Sequence, residues 1–228
     1  MLQFTVTEKW KATYPDASAG VLVMRDVANP AQHVALSERK KQLEATLKEQ
    51  FAGYNRATLR AYSPLREYHA YYKRFKKSYH VQLQLESLLF KGKSIPNVAA
   101  LVEVMFMAEL KNLLLTAVHD LDQVQGSVKL DVSTGNEKFV GINGREQRLK
   151  KGDMFIADQE SILSNIIYGP DQRTRITSEA KNVLFTVYAP KGVTQEAVHQ
   201  HLLDMRDDVW LITPDAKVEL LAVYDAKT

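Results

Sequence analysis

The 228 residues carry a net charge of +3, with 45% hydrophobic and 25% charged side chains, the balance of an ordinary globular protein. The absence of cysteine excludes disulfides and thiolate zinc sites. No stretch approaches the roughly 18 apolar residues of a membrane span, and Met1 to Thr7 lacks the basic start and apolar run of a signal peptide, so a soluble cytoplasmic protein is expected.

Leu2 to Val6 alternates apolar and polar residues, and Gly20 to Met24 is a short apolar run; both predict strands, separated by a turn at Pro15-Asp16. From 31 to 51 the spacing of Val34, Leu36, Leu43, Leu47 and Phe51 is helical. Further helices are predicted over Leu65–Phe75 and Val81–Phe90, the second closed by Lys91-Gly92. Pro96 then introduces Val98–Leu115, which is apolar on most faces and therefore predicts a buried central helix. Beyond Asp120 the period changes to two. Strands are expected over Val128–Val132, Phe139–Ile142 (with a hairpin turn at Asn143-Gly144), Met154–Ala157 and Asn182–Tyr188. A helix from Thr194 to about Met205 and two short strands, Val209–Ile212 and Val218–Tyr224, complete the chain. Helices and antiparallel strands are mixed rather than alternating, which is an α+β pattern, and no repeat or linker divides residues 1–228, so a single domain is expected.

The small net charge does not by itself imply nucleic acid, but it is unevenly spread. Between Arg56 and Lys93 there are nine Lys/Arg against two acids, interleaved with Tyr54, Tyr62, Tyr68, Tyr71, Tyr72 and Tyr79. Such a segment suits phosphates and unstacked bases, with Lys73, Arg74, Lys76 and Lys77 as its densest part. The plainer alternative is a solvated helix whose tyrosines pack inward.

The usual catalytic signatures are absent: no phosphate-binding glycine loop, no dinucleotide fingerprint, no nucleophile elbow. His199 and His201 on one helix point to different sides and read as surface histidines, and no metal or cofactor is expected. Two segments set polar residues beside apolar runs. Ala117 to Gly126 lies at the expected join between the central helix and the strands, where Asp120 or Asp122 would cap backbone donors. Asn165 to Thr177 begins as a strand and ends in a loop, where Gly169 allows close approach of a ligand and Arg173 and Arg175 could hold phosphate.

Taken in order, several stretches resemble the editing domain of the phenylalanyl-tRNA synthetase β subunit, the B3/B4 tRNA-binding module, and the stand-alone proteins built on it. They are Leu88-Leu89 with Lys91-Gly92-Lys93 and Ile95-Pro96-Asn97, Leu101-Val102-Glu103-Val104, Asp120 to Gly126, Ile156-Ala157-Asp158, Arg173 to Thr177, and Lys181 to Phe185. The resemblance covers roughly Tyr68 to Leu203. It implies an α+β fold with a pocket between the sheet and the apolar helix, in which the synthetase hydrolyses the ester of a mischarged tRNA without a metal.

Four features depart from that pattern. Ala117 stands where the family has a histidine, with His119 two residues on; Met105-Phe106 replaces a threonine-asparagine pair; only Gly169 remains of a glycine pair; Thr186 replaces a glutamate. Tyrosine specificity therefore does not carry over. The expected site comprises Asn165 and Thr186 as water-positioning catalytic residues, with exposed N–H groups near Gly169 meeting the oxyanion. Met105, Phe106, Ala117, His119, Asp120, Tyr168 and Gly169 are expected to line the pocket. Lys73, Arg74, Lys76, Lys77, Arg173 and Arg175 are expected to face RNA. The expected partner is tRNA or aminoacyl-tRNA, with no DNA and no membrane. The alternatives are a non-catalytic pocket for a free amino acid or an RNA end, and a relic of the fold serving an unrelated partner.

Overall fold

A computed structural model covers residues 1–228. Strand β1 (Phe4–Val6) is followed by the short helix α1 (Glu8–Thr13), started by Thr7, whose hydroxyl accepts from the Trp10 N–H, and by strand β2 (Ser18–Arg25). Five helices come next: α2 (Val34–Gln50), α3 (Arg56–Ala61), α4 (Leu65–Lys73), α5 (His80–Lys91) and α6 (Ala100–Asn112). The second half contributes β3 (Leu115–Asp120), β4 (Val128–Val132), β5 (Lys138–Val140), β6 (Glu146–Arg148), β7 (Met154–Ala157), β8 (Ile162–Asn165), β9 (Gly169–Pro170) and β10 (Val183–Ala189). Helix α7 (Gln195–Ile212) and strand β11 (Lys217–Asp225) end the chain. The fold is α+β, as the patterning predicts.

One sheet has the order β1-β4-β7-β8-β9, antiparallel except for the parallel pair β1/β4. The other, wholly antiparallel, has the order β11-β2-β10-β3. Strands β5 and β6 form a separate hairpin around Asn143-Gly144. Strand β10 is buried along its whole length, which is why it reads as a continuous apolar run rather than an alternating one. One buried apolar cluster runs from Phe4 to Ala216. Tyr188 ties the sheets together, its hydroxyl lying 2.8 Å from Ser164 Oγ and donating to the Ser164 carbonyl at 2.9 Å.

Helix α6 is the buried helix expected and packs on β3. Its first residue follows Ala99, whose side chain cannot cap, so the orphan N–H groups are met from elsewhere. The Leu101 N–H donates to Asn29 Oδ1 (2.9 Å), the Ala100 N–H to the Pro30 carbonyl (3.0 Å) and the Val98 N–H to Glu103 Oε1 (3.0 Å). Buried Glu103 also pairs with Lys40 at 2.9 Å.

Three expectations are corrected. The central helix stops at Asn112, because Leu113 takes a left-handed φ of 59°, and Leu115 already starts β3; an apolar run alone does not separate helix from strand. Ala117 to Asp120 is not a turn but the end of that strand, paired with β10 as Thr186↔Ala117 and Leu184↔His119. Val209–Ile212 is not a strand but the last turn of α7, since Val198, Leu202, Met205 and Val209 share one buried helical face. Helix α3, unpredicted, starts with a capping box between Asn55 and Thr58.

Candidate functional site

Four of the six tyrosines of the basic segment pack inward, which corrects the idea that those four form a base-stacking platform; Tyr54 and Tyr62 are half-buried. Tyr68, Tyr71, Tyr72 and Tyr79 are buried. Tyr68 donates to the Tyr188 carbonyl and accepts from the Leu115 N–H at 3.0 Å. Tyr72 donates to the Ile166 carbonyl at 2.7 Å, and Tyr79 to the Leu113 carbonyl at 3.1 Å. Tyr71 donates to Asp153 Oδ1 at 2.7 Å while accepting from the Met154 N–H at 2.8 Å. Burial raises all four phenols well above their ordinary range.

The charges of the same segment stay outside. Lys73, Arg74, Lys76 and Lys77 are exposed, and none forms an ion pair. Arg74 lies over the Tyr14, Tyr71 and Phe75 rings at 5.2–5.5 Å from their centroids. Lys77 lies 5.7 Å from the centroid of the Tyr168 ring, which places this basic surface next to Gly169.

A cavity of about 320 Å³, at the small end of ligand sites, opens between α6, the free edge of β3 and the β8–β9 turn. Of the expected lining, Met105, Phe106, Ala117, Asn165 and Gly169 are there. Asn165 is anchored by accepting the Tyr168 N–H at 2.9 Å, and its amide donates to the Gly169 carbonyl at 3.5 Å. Gly169 has φ +80°, and the space where a Cβ would stand is open, so a ligand can approach its backbone closely. Arg175 lies at the rim, exposed and without an ion pair.

The remaining expected residues stand apart from the cavity lining. Half-buried Tyr168 packs on the small cluster of Phe139, Leu149, Phe155, Ala157 and Ile162. Asp120 caps the turn after β3, accepting the Asp122 N–H at 3.1 Å. Arg173 is bound into the scaffold, pairing with Asp158 at 2.7 Å and donating to the Gln123 carbonyl, which corrects its assignment to phosphate. His119 is fully buried. Thr174 gives its proton to Asp171, so its oxygen accepts from His119 Nδ1–H at 2.7 Å, and Nε2 is left bare and unpartnered. Burial lowers His119 to about 3, so it is neutral at physiological pH. Thr186 is enclosed in the sheet on the face it shares with Ala117 and Tyr188, and its hydroxyl has no partner.

Sequence reasoning missed two groups in the cavity wall. Glu109 on α6 is 1% exposed; Oε1 accepts the Thr116 N–H at 2.9 Å, and Oε2 has no partner. Burial raises its carboxyl to about 8. A lone acid inside the apolar run Met105–Leu110 was its one signal. Thr116 is oriented from behind by His201, which is fully buried rather than on the surface as expected. Asn112 Nδ2 donates to Asp204 (2.8 Å) and lies 3.1 Å from His201 Nδ1, which must then accept. His201 Nε2–H thus donates to Thr116 Oγ1 at 2.7 Å, leaving the threonine its own proton to offer.

The edge strand adds a backbone donor. The Thr116 and Asp120 N–H groups point away from β10, to Glu109 (2.9 Å) and to the Thr174 carbonyl (2.8 Å). Alternation along the strand turns the Val118 N–H the same way, toward the cavity, where no side-chain or loop acceptor takes it.

A family model described as the B3/4 domain matches residues 67–205. The phenylalanine–tRNA ligase β subunit of Mycoplasma genitalium is 29% identical over 69 residues, 30% of this chain and 9% of that protein. Its counterpart in Fusobacterium nucleatum is 31% identical over 78 residues, 32% of this chain and 10% of that protein. The matches thus span about a tenth of these relatives. Among solved structures, an N-terminal fragment of the phenylalanyl-tRNA synthetase β subunit from Pyrococcus horikoshii aligns with a TM-score of 0.49 at 15% identity, covering 95% of this chain and 50% of that one.

Proposed function

The chain belongs to the B3/4 domain family, and on that premise we propose that it receives the aminoacylated end of a tRNA and hydrolyses the ester in trans. The observation that carries this reading is the cavity itself: apolar walls at Met105 and Phe106, with Asn165, Gly169, Arg175 and the Val118 N–H converging on its edge. Apolar walls suit a side chain, convergent donors suit a carbonyl, and the cation at the rim suits a phosphate.

In this mechanism Asn165 positions a water against the ester carbonyl carbon. The water's oxygen forms the new bond as the carbonyl becomes an oxyanion, facing the Val118 N–H and the backbone at Gly169. The ester bond to the ribose oxygen then breaks; of the water's two protons one passes to that oxygen and the other to solvent, and the amino acid leaves as a carboxylate. Thr186 contributes from the neighbouring strand, directly beside Ala117 on the same sheet face. The RNA follows the exposed cations from Lys73 to Lys77 past Tyr168 to Arg175. The bulky Met105 and Phe106 favour an aliphatic or small side chain over tyrosine.

The enclosed Thr186 hydroxyl favours a second reading, in which the cavity holds an amino acid or an RNA end without cleaving it. A deacylation screen over correctly and incorrectly charged tRNAs separates the two. Release faster than the spontaneous rate on at least one member is expected. Salt-sensitive binding with no accelerated release would remove hydrolysis and leave the binding reading.

A further inference from the structure

We propose that Glu109 is an ammonium-binding group, so that the cavity takes ligands bearing a primary ammonium beside an apolar side chain: an α-amino acid or its ester. This rests on reading the cavity as an aminoacyl site.

A carboxyl removed from water normally has both oxygens supplied with donors. Glu109 has one supplied, by the Thr116 N–H, and its Oε2 faces no donor of the protein. The polar groups around it are engaged elsewhere, apart from the Thr116 hydroxyl proton and the Gln84 amide of α5, which line the same cavity but make no hydrogen bond to Oε2. On α4, Tyr68 and Tyr72 donate to the Tyr188 and Ile166 carbonyls. Before α5, Tyr79 donates to the Leu113 carbonyl; on β10, Tyr188 donates to the Ser164 carbonyl. From α7, His201 donates to the Thr116 hydroxyl. His80, at the start of α5, is lowered by burial to about 4 and is neutral. No lysine or arginine pairs with Glu109, and Arg175, the cation on the cavity wall, is exposed at the rim. The missing donor therefore comes from outside the chain, and an ammonium meets the need best because it supplies both the hydrogen bond and the charge. Met105 and Phe106 beside it leave the rest of the space to an apolar side chain.

The empty site has a state of its own. With its carboxyl raised to about 8, Glu109 is mainly protonated at neutral pH, and an arriving ammonium drives that proton off. Ligand uptake thus carries a proton signature that a merely structural glutamate lacks.

The test is calorimetric titration of the full chain with L-leucinamide, L-phenylalaninamide and L-tyrosinamide, each against its des-amino carboxamide. At about pH 6.5, below the α-amino range, the amines are charged. The amine form of at least one pair should bind about 10- to 100-fold tighter. Its binding should also release a proton, read from the difference in heat between phosphate and Bis-Tris buffers. Glu109→Gln should abolish both the preference and the proton release. Equal affinity within every pair, no binding by any amine, or binding without proton release would overturn the proposal. If Glu109→Gln does not fold, the amine preference and proton release of the unaltered chain decide alone. Deacylation without amine preference would remove Glu109 and leave the tRNA reading intact; amine preference without deacylation would do the reverse.

Discussion

The tyrosine-bearing segment from Tyr68 to Tyr79 adjoins the walls of the cavity at Leu115 and Tyr188 but treats polarity in the opposite way. In the first, every buried phenol hydroxyl donates to a carbonyl or carboxylate, so those rings act as internal struts. Around the second, Glu109 Oε2 has no partner, and behind it neither do Thr186 Oγ1 and His119 Nε2. A satisfied polar group is adequately explained by the fold that satisfies it; an orphaned one asks what else it meets. The contrast draws attention to the cavity, whereas composition draws it to the tyrosine-rich segment, the more conspicuous of the two in the sequence.

The comparison can be broken most severely at Asn165. Asn165→Ala should lower deacylation by about 100- to 1000-fold, the usual effect of losing a positioned polar group, while tRNA affinity is kept. A variant with full activity would remove Asn165 from the site. On the strut side, Tyr71→Phe should destabilise the protein by about 1–3 kcal/mol for each stranded group, since Asp153 and the Met154 N–H both lose a partner, with tRNA binding unaffected. Chemical denaturation reads this, and an unchanged midpoint would mean that the tyrosine is no strut.

Glu109 predicts a pH dependence whose sign is opposite to that of a paired carboxylate. Its folded pKa of about 8 exceeds the ordinary value of 4.5, so the folded state holds more protons in between, and stability falls as pH rises across that interval. Buried His119 and His201, both lowered to about 3, act oppositely, but only below the ordinary histidine value of 6.5. Between about 6.5 and 8 the carboxyls dominate, with Asp153, raised to about 7, contributing to the lower part. Stability should fall there by at most about 1.4 kcal/mol per pH unit for each group, and Glu109→Gln should flatten the upper half. Thr186→Val should raise stability by about 1 kcal/mol if its hydroxyl is as unpartnered as the geometry indicates, while slowing deacylation. The smallest effect belongs to the surface: neutralising Lys73, Lys76 or Lys77 singly should reduce the salt slope of tRNA binding by about 0.7–0.9, with thermal unfolding unchanged.

Local chemistry made much of this legible beforehand. The apolar residues around Leu101 to Leu110 mark a buried helix, and the β-branched run at Val183 to Val187 marks a central strand, whatever surrounds them. Strand β3 was obscure because its identity comes from pairing with β10 some 60 residues away, whereas Ala117 to Asp120 alone looks like a turn. Trp210 and its neighbours resembled a strand for a similar reason: a four-residue apolar run has no period of its own, and only its continuity with Val198, Leu202 and Met205 makes it helix. The cavity was half visible. Met105 and Phe106 came from the family likeness, and Asn165 and Gly169 from both that likeness and their place beside an apolar run, whereas the burial of Glu109 and the bond from His201 to Thr116 depend on how α6, β3 and α7 are brought together.

The sheet order β11-β2-β10-β3 has a consequence for dissecting the molecule. The span carrying the family likeness, residues 67–205, contains β10 and β3 but neither β2 nor β11. Excised along those borders, the fragment would expose β10, buried along its whole length, as a raw edge and leave the start of α6 without Asn29 and Pro30. Such an edge templates aggregation. The span recognised by likeness is thus smaller than the sheet it belongs to. The first thirty residues and the last strand are part of what keeps the cavity in existence.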